Sequence, residues 1–131
     1  MLTVKTKIKP SRINGFGLFA NQNIKKSQII WKYNPIIDYK ISPKKFKRLP
    51  SIAKKSVLHY CYADGYGNYI MFLDNARFFN HSKKPNCLEV DSKDGKKPTI
   101  ALRDIKRGEE LTIDYYSFDN NYKKGVKKIK S

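Results

Sequence analysis

Ala76-Arg77-Phe78-Phe79-Asn80-His81-Ser82-Lys83-Lys84-Pro85-Asn86-Cys87 is the stretch on which the reading of the whole chain turns. Two large apolar residues, Phe78 and Phe79, feed directly into Asn80-His81-Ser82. Phe pairs belong in cores, whereas Asn, His and Ser need hydrogen-bond partners, so the backbone here runs inward and takes polar groups with it. Polar groups buried in this way serve either the fold, as caps of a turn before Pro85, or a ligand. Taken alone, the stretch leaves both readings open.

Outward from it, composition sets bounds. A chain of 131 residues suits one domain with a core of its own, and 40% hydrophobic with 13% aromatic residues excludes a disordered tail despite 30% charged residues. No apolar run approaches a membrane span, and Met1-Leu2-Thr3-Val4-Lys5 lacks the apolar stretch of a signal peptide, so the expectation is a soluble intracellular protein with no membrane contact. Cys61 and Cys87 are too few for a disulfide framework, and no Cys-x-x-Cys spacing offers a zinc site. Two free thiols and no metal are expected. The net charge of +17 favours weak, salt-sensitive association with nucleic acid, yet only five of the 28 basic residues are Arg and no nucleic-acid-reading motif accompanies them.

Periodicity divides the chain into many short strands and one helical region. Leu2 to Ile8 alternates, Gln28 to Tyr33 reads as a strand ending at Pro35, and Ile36 to Ile41 continues as another. From Ser42 the period changes. Ser42-Pro43 is a helix start with Ser as cap, Pro50-Ser51 repeats the arrangement, and Ala53, Val57, Tyr60 and Cys61 then form one apolar face. A helical insert over residues 42–61 follows. Tyr69 to Leu73 is a buried strand, Leu88 to Val90 and Thr99 to Leu102 pair as a hairpin, and Lys123 to Lys130 reads as a solvated basic tail.

Three segments then fall in order. Gly15-Phe16-Gly17-Leu18-Phe19-Ala20, the stretch from Arg77 to Cys87, and Gly108-Glu109-Glu110-Leu111-Thr112-Ile113-Asp114-Tyr115 are spaced by about 60 and about 30 residues. Together they resemble the SET-domain protein lysine methyltransferases, over roughly residues 3–118. The chain is as short as the minimal viral and bacterial members. The resemblance implies a mainly β fold of several small curved sheets with a helical insert, closed by a C-terminal pseudoknot; residues 1–118 would form that domain and residues 119–131 a basic tail. It also implies S-adenosylmethionine as methyl donor, S-adenosylhomocysteine as product, and a protein lysine entering a narrow channel from the opposite face.

By motif match, Gly15, Phe16, Gly17, Arg77, Phe78, Asn80, His81 and Phe118 belong with the cofactor, Asn80 through its amide and backbone. His81 is assigned to binding, since the motif offers it no partner carboxylate for base chemistry. Tyr115 matches the catalytic tyrosine and also borders the cofactor. Methyl transfer from a sulfonium to an amine is an in-line displacement that needs alignment and a neutral lysine, not a protein nucleophile. Tyr33, Ile113 and Tyr116 are assigned to the substrate channel, although Asn34-Pro35 replaces the Gly-Glu that usually follows the family's tyrosine. Ile113 stands where a hydroxyl often limits methylation, so addition of more than one methyl is expected. No cysteine follows Cys87, so closure falls to Phe118 and Tyr122, the tail, or a second copy in a homodimer. A +17 enzyme repels a lysine-rich tail unless Asp38, Asp64 or Glu89 lines the entrance or the tail is carried on nucleic acid. The rival reading is a basic nucleic-acid or chromatin-binding module of the same fold without turnover.

Overall fold

The computed structural model describes residues 1–129. The strands are β1 (Thr6–Pro10), β2 (Phe16–Ala20), β3 (Ile29–Trp31), β4 (Asp38–Ile41), β5 (Tyr62–Ala63), β6 (Tyr69–Phe72), β7 (Asn80–His81), β8 (Cys87–Glu89), β9 (Thr99–Ala101) and β10 (Thr112–Ile113). Helices α1 (Pro43–Lys47) and α2 (Ser51–Tyr60) separate β4 from β5, a 3-10 helix spans Asn75–Phe78, and α3 (Tyr115–Phe118) and α4 (Asn120–Lys123) follow β10. Among the described residues the strands form three small sheets, a mainly β architecture with a short helical insert.

β1 and β2 make an antiparallel ribbon, β4, β6 and β5 an antiparallel sheet of three, and five strands run in the order β3-β9-β8-β10-β7. The hairpin read from sequence is present: β8 and β9 pair antiparallel, with Glu89 opposite Thr99. β10 lies between β7 and β8 and runs parallel to both, Thr112 facing Asn80 and Ile113 facing His81 on one side and Cys87 on the other. The third motif is thereby brought against the second.

The main core gathers Leu18, Ile24, Ile30, Trp31, Phe79, Cys87, Ile105, Leu111 and Ile113 from the ribbon, the five-stranded sheet and the segments that connect them. A smaller cluster of Ile41, Val57 and Cys61 seats α2. Burying each such side chain contributes roughly 1.5–3 kcal/mol, and the many short elements are held by this contact more than by their own length.

Several expectations need correction. The first strand begins at Thr6, not Leu2, because Leu2 bridges Trp31 instead of pairing with β2. Ser42 caps α1, its hydroxyl accepting from the Lys45 N–H at 3.3 Å, but α2 does not repeat this device: Pro50 itself stands at the cap position and has no side-chain acceptor. Tyr60 is 66% exposed, since the apolar face of α2 is carried by Val57 with Cys61 just beyond it. Packing also continues past Phe118. Asp119 and Asn121, read as part of a basic tail, are buried, and Lys127 Nζ, read as solvated, donates to the Cys61 carbonyl at 2.7 Å. Lys130 and Ser131 of that tail lie outside the described residues.

Candidate active site

Asp74 starts the central segment: its Oδ1 accepts from the Ala76 N–H at 3.0 Å and caps the 3-10 helix, so the chain turns and drives Ala76 and Phe79 into the core. Asn80 and His81 emerge from it as β7, already paired with β10. The three motifs then meet at one carboxylate. Glu110 accepts from Ser11 Oγ at 2.8 Å and from Asn80 Nδ2 at 2.9 Å, its backbone carbonyl accepts from Asn86 Nδ2 at 2.8 Å, and a Cβ on Gly17 would fall 2.1 Å from its Oε1.

This junction revises two assignments. Asn80 Nδ2 also donates to the carbonyls of Asn14 and Phe16, at 3.1 and 3.2 Å, so the amide nitrogen ties the first motif to the second and is committed within the protein. Gly17 is required by the approach of Glu110, not by an open pocket. Glu110 was missed from sequence because an acidic residue in a Gly-Glu-Glu turn reads as solvated surface.

Two concavities flank Tyr115. A groove of about 870 Å³ is lined by Gly15, Phe16, Arg77, Phe78, Asn80 and Tyr115 among others. A narrower cavity of about 140 Å³ is walled by aromatic rings and contains Ile113, Phe118 and Tyr115. Tyr115 is one of seven residues that border both, with His59, Tyr60, Phe72, Arg77, Phe79 and Tyr122. In the cavity the rings follow one another: Trp31 meets Phe72 edge-on at 5.1 Å, Phe72 stacks on Tyr62 at 5.2 Å, Tyr62 meets Phe118 at 5.1 Å, and Tyr115 lies 5.3 Å from Tyr122. Walls of this kind suit an aliphatic stem ending in an amine or ammonium.

Tyr115 is fixed at both ends. Its N–H donates to His81 Nδ1 at 3.1 Å, and its hydroxyl donates to the Phe79 carbonyl. Asp114 caps α3 from the preceding position, accepting from the Tyr116 N–H at 2.9 Å. Burial, aided by Tyr122, Asp119 and Glu110, pushes the Tyr115 phenol up to about 12, so it is un-ionised at neutral pH and acts as a dipole, not as a base. The expectation that His81 has no carboxylate nearby is also corrected: Asp114 Oδ1 stands 3.5 Å from His81 Nδ1.

Other expected residues are distributed unevenly. Gly17 and His81 line neither concavity, and Phe118 lines the narrow cavity, not the groove. Tyr33 packs against the core with Lys40 Nζ 4.8 Å over its ring, and Tyr116 is 42% exposed beside His81; neither lines a channel wall. Of the three acidic candidates, Asp38 and Asp64 are buried and bond to backbone N–H groups, and Glu89 lines the narrow cavity. Tyr60 and Tyr62 also line it and went unassigned from sequence. The aromatic pair around Cys61, directly after α2, was the signal available for them.

Comparison with known proteins fits this arrangement. Residues 15–116 match the SET domain family. The chain is 33% identical over 123 residues to "Histone-lysine N-methyltransferase, H3 lysine-4 specific" of Schizosaccharomyces pombe, covering 81% of this chain and 12% of that protein. It is 37% identical over 109 residues to the H3 lysine-36 specific enzyme of the same organism, covering 77% of this chain and 13% of the relative. The chain thus spans about an eighth of the length of these two relatives. Among solved structures, Polycomb Repressive Complex 2 of Chaetomium thermophilum bound to GSK126 matches with a TM-score of 0.68 at 23% identity, over 94% of this chain and 17% of that one. Spacing of the three motifs, their convergence at Glu110 and the matched residues lead to one conclusion: the chain belongs to the SET domain family.

Proposed function

We propose that this chain methylates the side-chain amine of lysine in a protein substrate, using S-adenosylmethionine. The observation that carries the reading is the position of Tyr115 on the boundary between the wide groove and the narrow aromatic cavity. A two-substrate transfer needs two sites that meet at one point, and those two sites differ in size as a nucleoside donor and a lysine stem differ.

The groove suits the donor. Its volume lies within the range of small-molecule sites, Phe16 and Phe78 offer faces for a base, and nothing stands within 4 Å of a Cβ built on Gly15. When bound, S-adenosylmethionine supplies an electrophilic methyl on a sulfonium. Gly15, Phe16, Arg77, Phe78 and Asn80 would hold it, Asn80 through its backbone. The chain's own part in the chemistry is positional. The Tyr115 hydroxyl, its hydrogen engaged by the Phe79 carbonyl, keeps its lone pairs for the reacting centre, and the aromatic walls exclude water and favour the neutral amine.

Histones or other proteins carried on nucleic acid are the proposed substrates. Two relatives are named for histone H3 lysines, and the charge of +17 draws the chain to the polyanion on which such tails lie. The test is calorimetry with S-adenosylmethionine followed by transfer of labelled methyl to core histones and to lysate proteins, for wild type and Tyr115→Phe. Donor binding with transfer lost on the order of a hundredfold in the variant supports the reading. Donor binding without transfer to any protein by wild type favours the non-catalytic module.

A further inference from the structure

Two carboxylates line the narrow cavity, and their situations differ. Asp119 is committed: Oδ1 accepts from the Ala63 N–H at 3.0 Å and the Asn121 N–H at 2.9 Å, and Oδ2 faces Lys127 Nζ at 3.4 Å. The Glu89 carboxyl has no hydrogen bond and no ion pair among the described residues.

The neighbours of Glu89 sharpen the contrast. Glu89 stands opposite Thr99 in the β8–β9 pairing, and Thr99 stands opposite Trp31 in the β9–β3 pairing. Residues opposite one another in neighbouring strands share a face, and all three line the cavity. Trp31 is 2% exposed, and its indole Nε1 is buried without a partner. An aromatic cavity therefore carries at one wall a row formed by an unpartnered carboxyl, a hydroxyl-bearing residue and a tryptophan with an unpartnered donor. Buried polar groups are normally satisfied, and Trp31 Nε1 is not; with the half-buried, unpartnered Glu89 carboxyl on the same face, this wall suits a polar guest.

We propose that Glu89 receives the substrate lysine in this cavity, its carboxylate holding the incoming ammonium and taking one proton from it. The inference rests on the lysine-methylating reading above and adds to it the group that delivers a neutral amine beside Tyr115. In the step, one N–H bond of the ammonium breaks, its electron pair stays on nitrogen, and an O–H bond forms on Glu89. The proton then passes to solvent and the carboxylate is restored. Need for such a group is plain, since an amine with pKa about 10.4 is neutral in roughly one molecule in a few thousand at pH 7.

The surroundings of Glu89 suit the task. Burial is the main cause that pushes its carboxyl up to about 7, a poise close to the operating pH. Lys97 and Lys123 pull it down, and Asp91 and Asp64 push it up. His59, Arg77 and the Asp119–Lys127 pair are other charged or titratable groups on the cavity, with Tyr60; burial pushes Tyr62, Tyr115, Tyr122 and Cys61 up, which keeps those four neutral at pH 7.

The test compares wild type with Glu89→Gln, which keeps shape and removes the charge. S-adenosylmethionine affinity by calorimetry checks that the variant is folded. Binding of n-butylammonium, followed by NMR at pH 8, reads the cation site without turnover and should weaken at least tenfold in the variant. Methyl transfer to core histones should rise with pH through about 7 in wild type and lose that limb in the variant, with a rate on the order of a hundredfold lower at pH 8. A Glu89→Gln protein that binds n-butylammonium as wild type does and keeps the wild-type pH profile overturns the proposal. Failure of wild type to transfer methyl to any protein overturns the lysine-methylating reading instead, and the n-butylammonium titration then still decides whether Glu89 holds a cation.

Discussion

His81 and Tyr115 are joined side chain to backbone, Nδ1 of His81 accepting the Tyr115 N–H at 3.1 Å. A nitrogen that accepts carries no hydrogen, so the ring bears its hydrogen on Nε2 in this arrangement. The bond satisfies a donor at the first turn of α3 and sets the direction in which the tyrosine leaves the sheet. His81→Ala is expected to slow methyl transfer between about tenfold and a hundredfold by loosening Tyr115, while S-adenosylmethionine affinity changes less than about threefold. Single-turnover rates and calorimetry on the same preparation check this. A variant with the wild-type rate would remove His81 from the positioning of Tyr115.

Ile113 is buried, lines the narrow cavity and has no hydroxyl. It offers nothing to hold a water or a methylated amine in one orientation, so a lysine already carrying a methyl can turn and react again. Mass spectra of exhaustively treated histones should contain di- or trimethyllysine, and Ile113→Tyr should shift the distribution toward monomethyllysine. Exclusive monomethylation by wild type would contradict this role.

Gly17 meets Glu110 so closely that no side chain fits. Alanine in a strand is ordinarily better than glycine by about 0.5–1 kcal/mol, but at this position the added carbon lies 2.1 Å from a carboxylate oxygen held by Ser11 and Asn80. Overpacking of about 1–3 kcal/mol outweighs that gain. Gly17→Ala should melt about 5 °C lower, whereas Gly65→Ala, where the new carbon meets nothing within 4 Å, should stay within about 0.5 kcal/mol of wild type. Equal melting temperatures for the two variants would refute the close approach.

Burial of Glu89 also has a stability signature. Its carboxyl titrates higher in the folded chain than its ordinary value of 4.5, so the folded state holds that proton more tightly than the unfolded state. The resulting stabilisation is fully present below about 4.5 and is lost as pH rises through about 7. Glu89→Gln should therefore gain thermal stability relative to wild type between pH 5 and 8, the difference levelling off above that range. A constant difference in melting temperature across this window would show that Glu89 is not buried as described.

What could be read before folding was what nearest neighbours decide. Ser42-Pro43 starts a helix by its own chemistry, Val57 and Cys61 turn one face inward by period, and the β8–β9 hairpin follows from two apolar runs. The motif residues Gly15, Phe16, Arg77, Phe78, Asn80 and Tyr115 do line one groove. Long-range partners were not legible. Nothing local says that Asn80 Nδ2 is occupied by Asn14, Phe16 and Glu110, that Asp114 stands beside His81, or that Asp119 is buried against Ala63. Tyr33 was misleading because an aromatic shortly before a proline looks alike whether it faces a channel or, as here, a lysine of β4.

The insertion of β10 between β7 and β8 has a consequence for how the molecule comes into being. β7 and β8 flank a position that neither can fill, and its occupant is made of residues some thirty positions further along the chain. On a ribosome, which releases the chain from its N-terminus, the ribbon, the helical insert and the β8–β9 hairpin all emerge before that occupant. Tyr115 lies two residues beyond the end of β10, so this residue, which borders both concavities, arrives with the last piece of the sheet. A nascent chain stalled before Thr112 therefore carries all the residues of the first two motifs and neither β10 nor Tyr115, and the wall common to both concavities is completed only when that later strand slides into place.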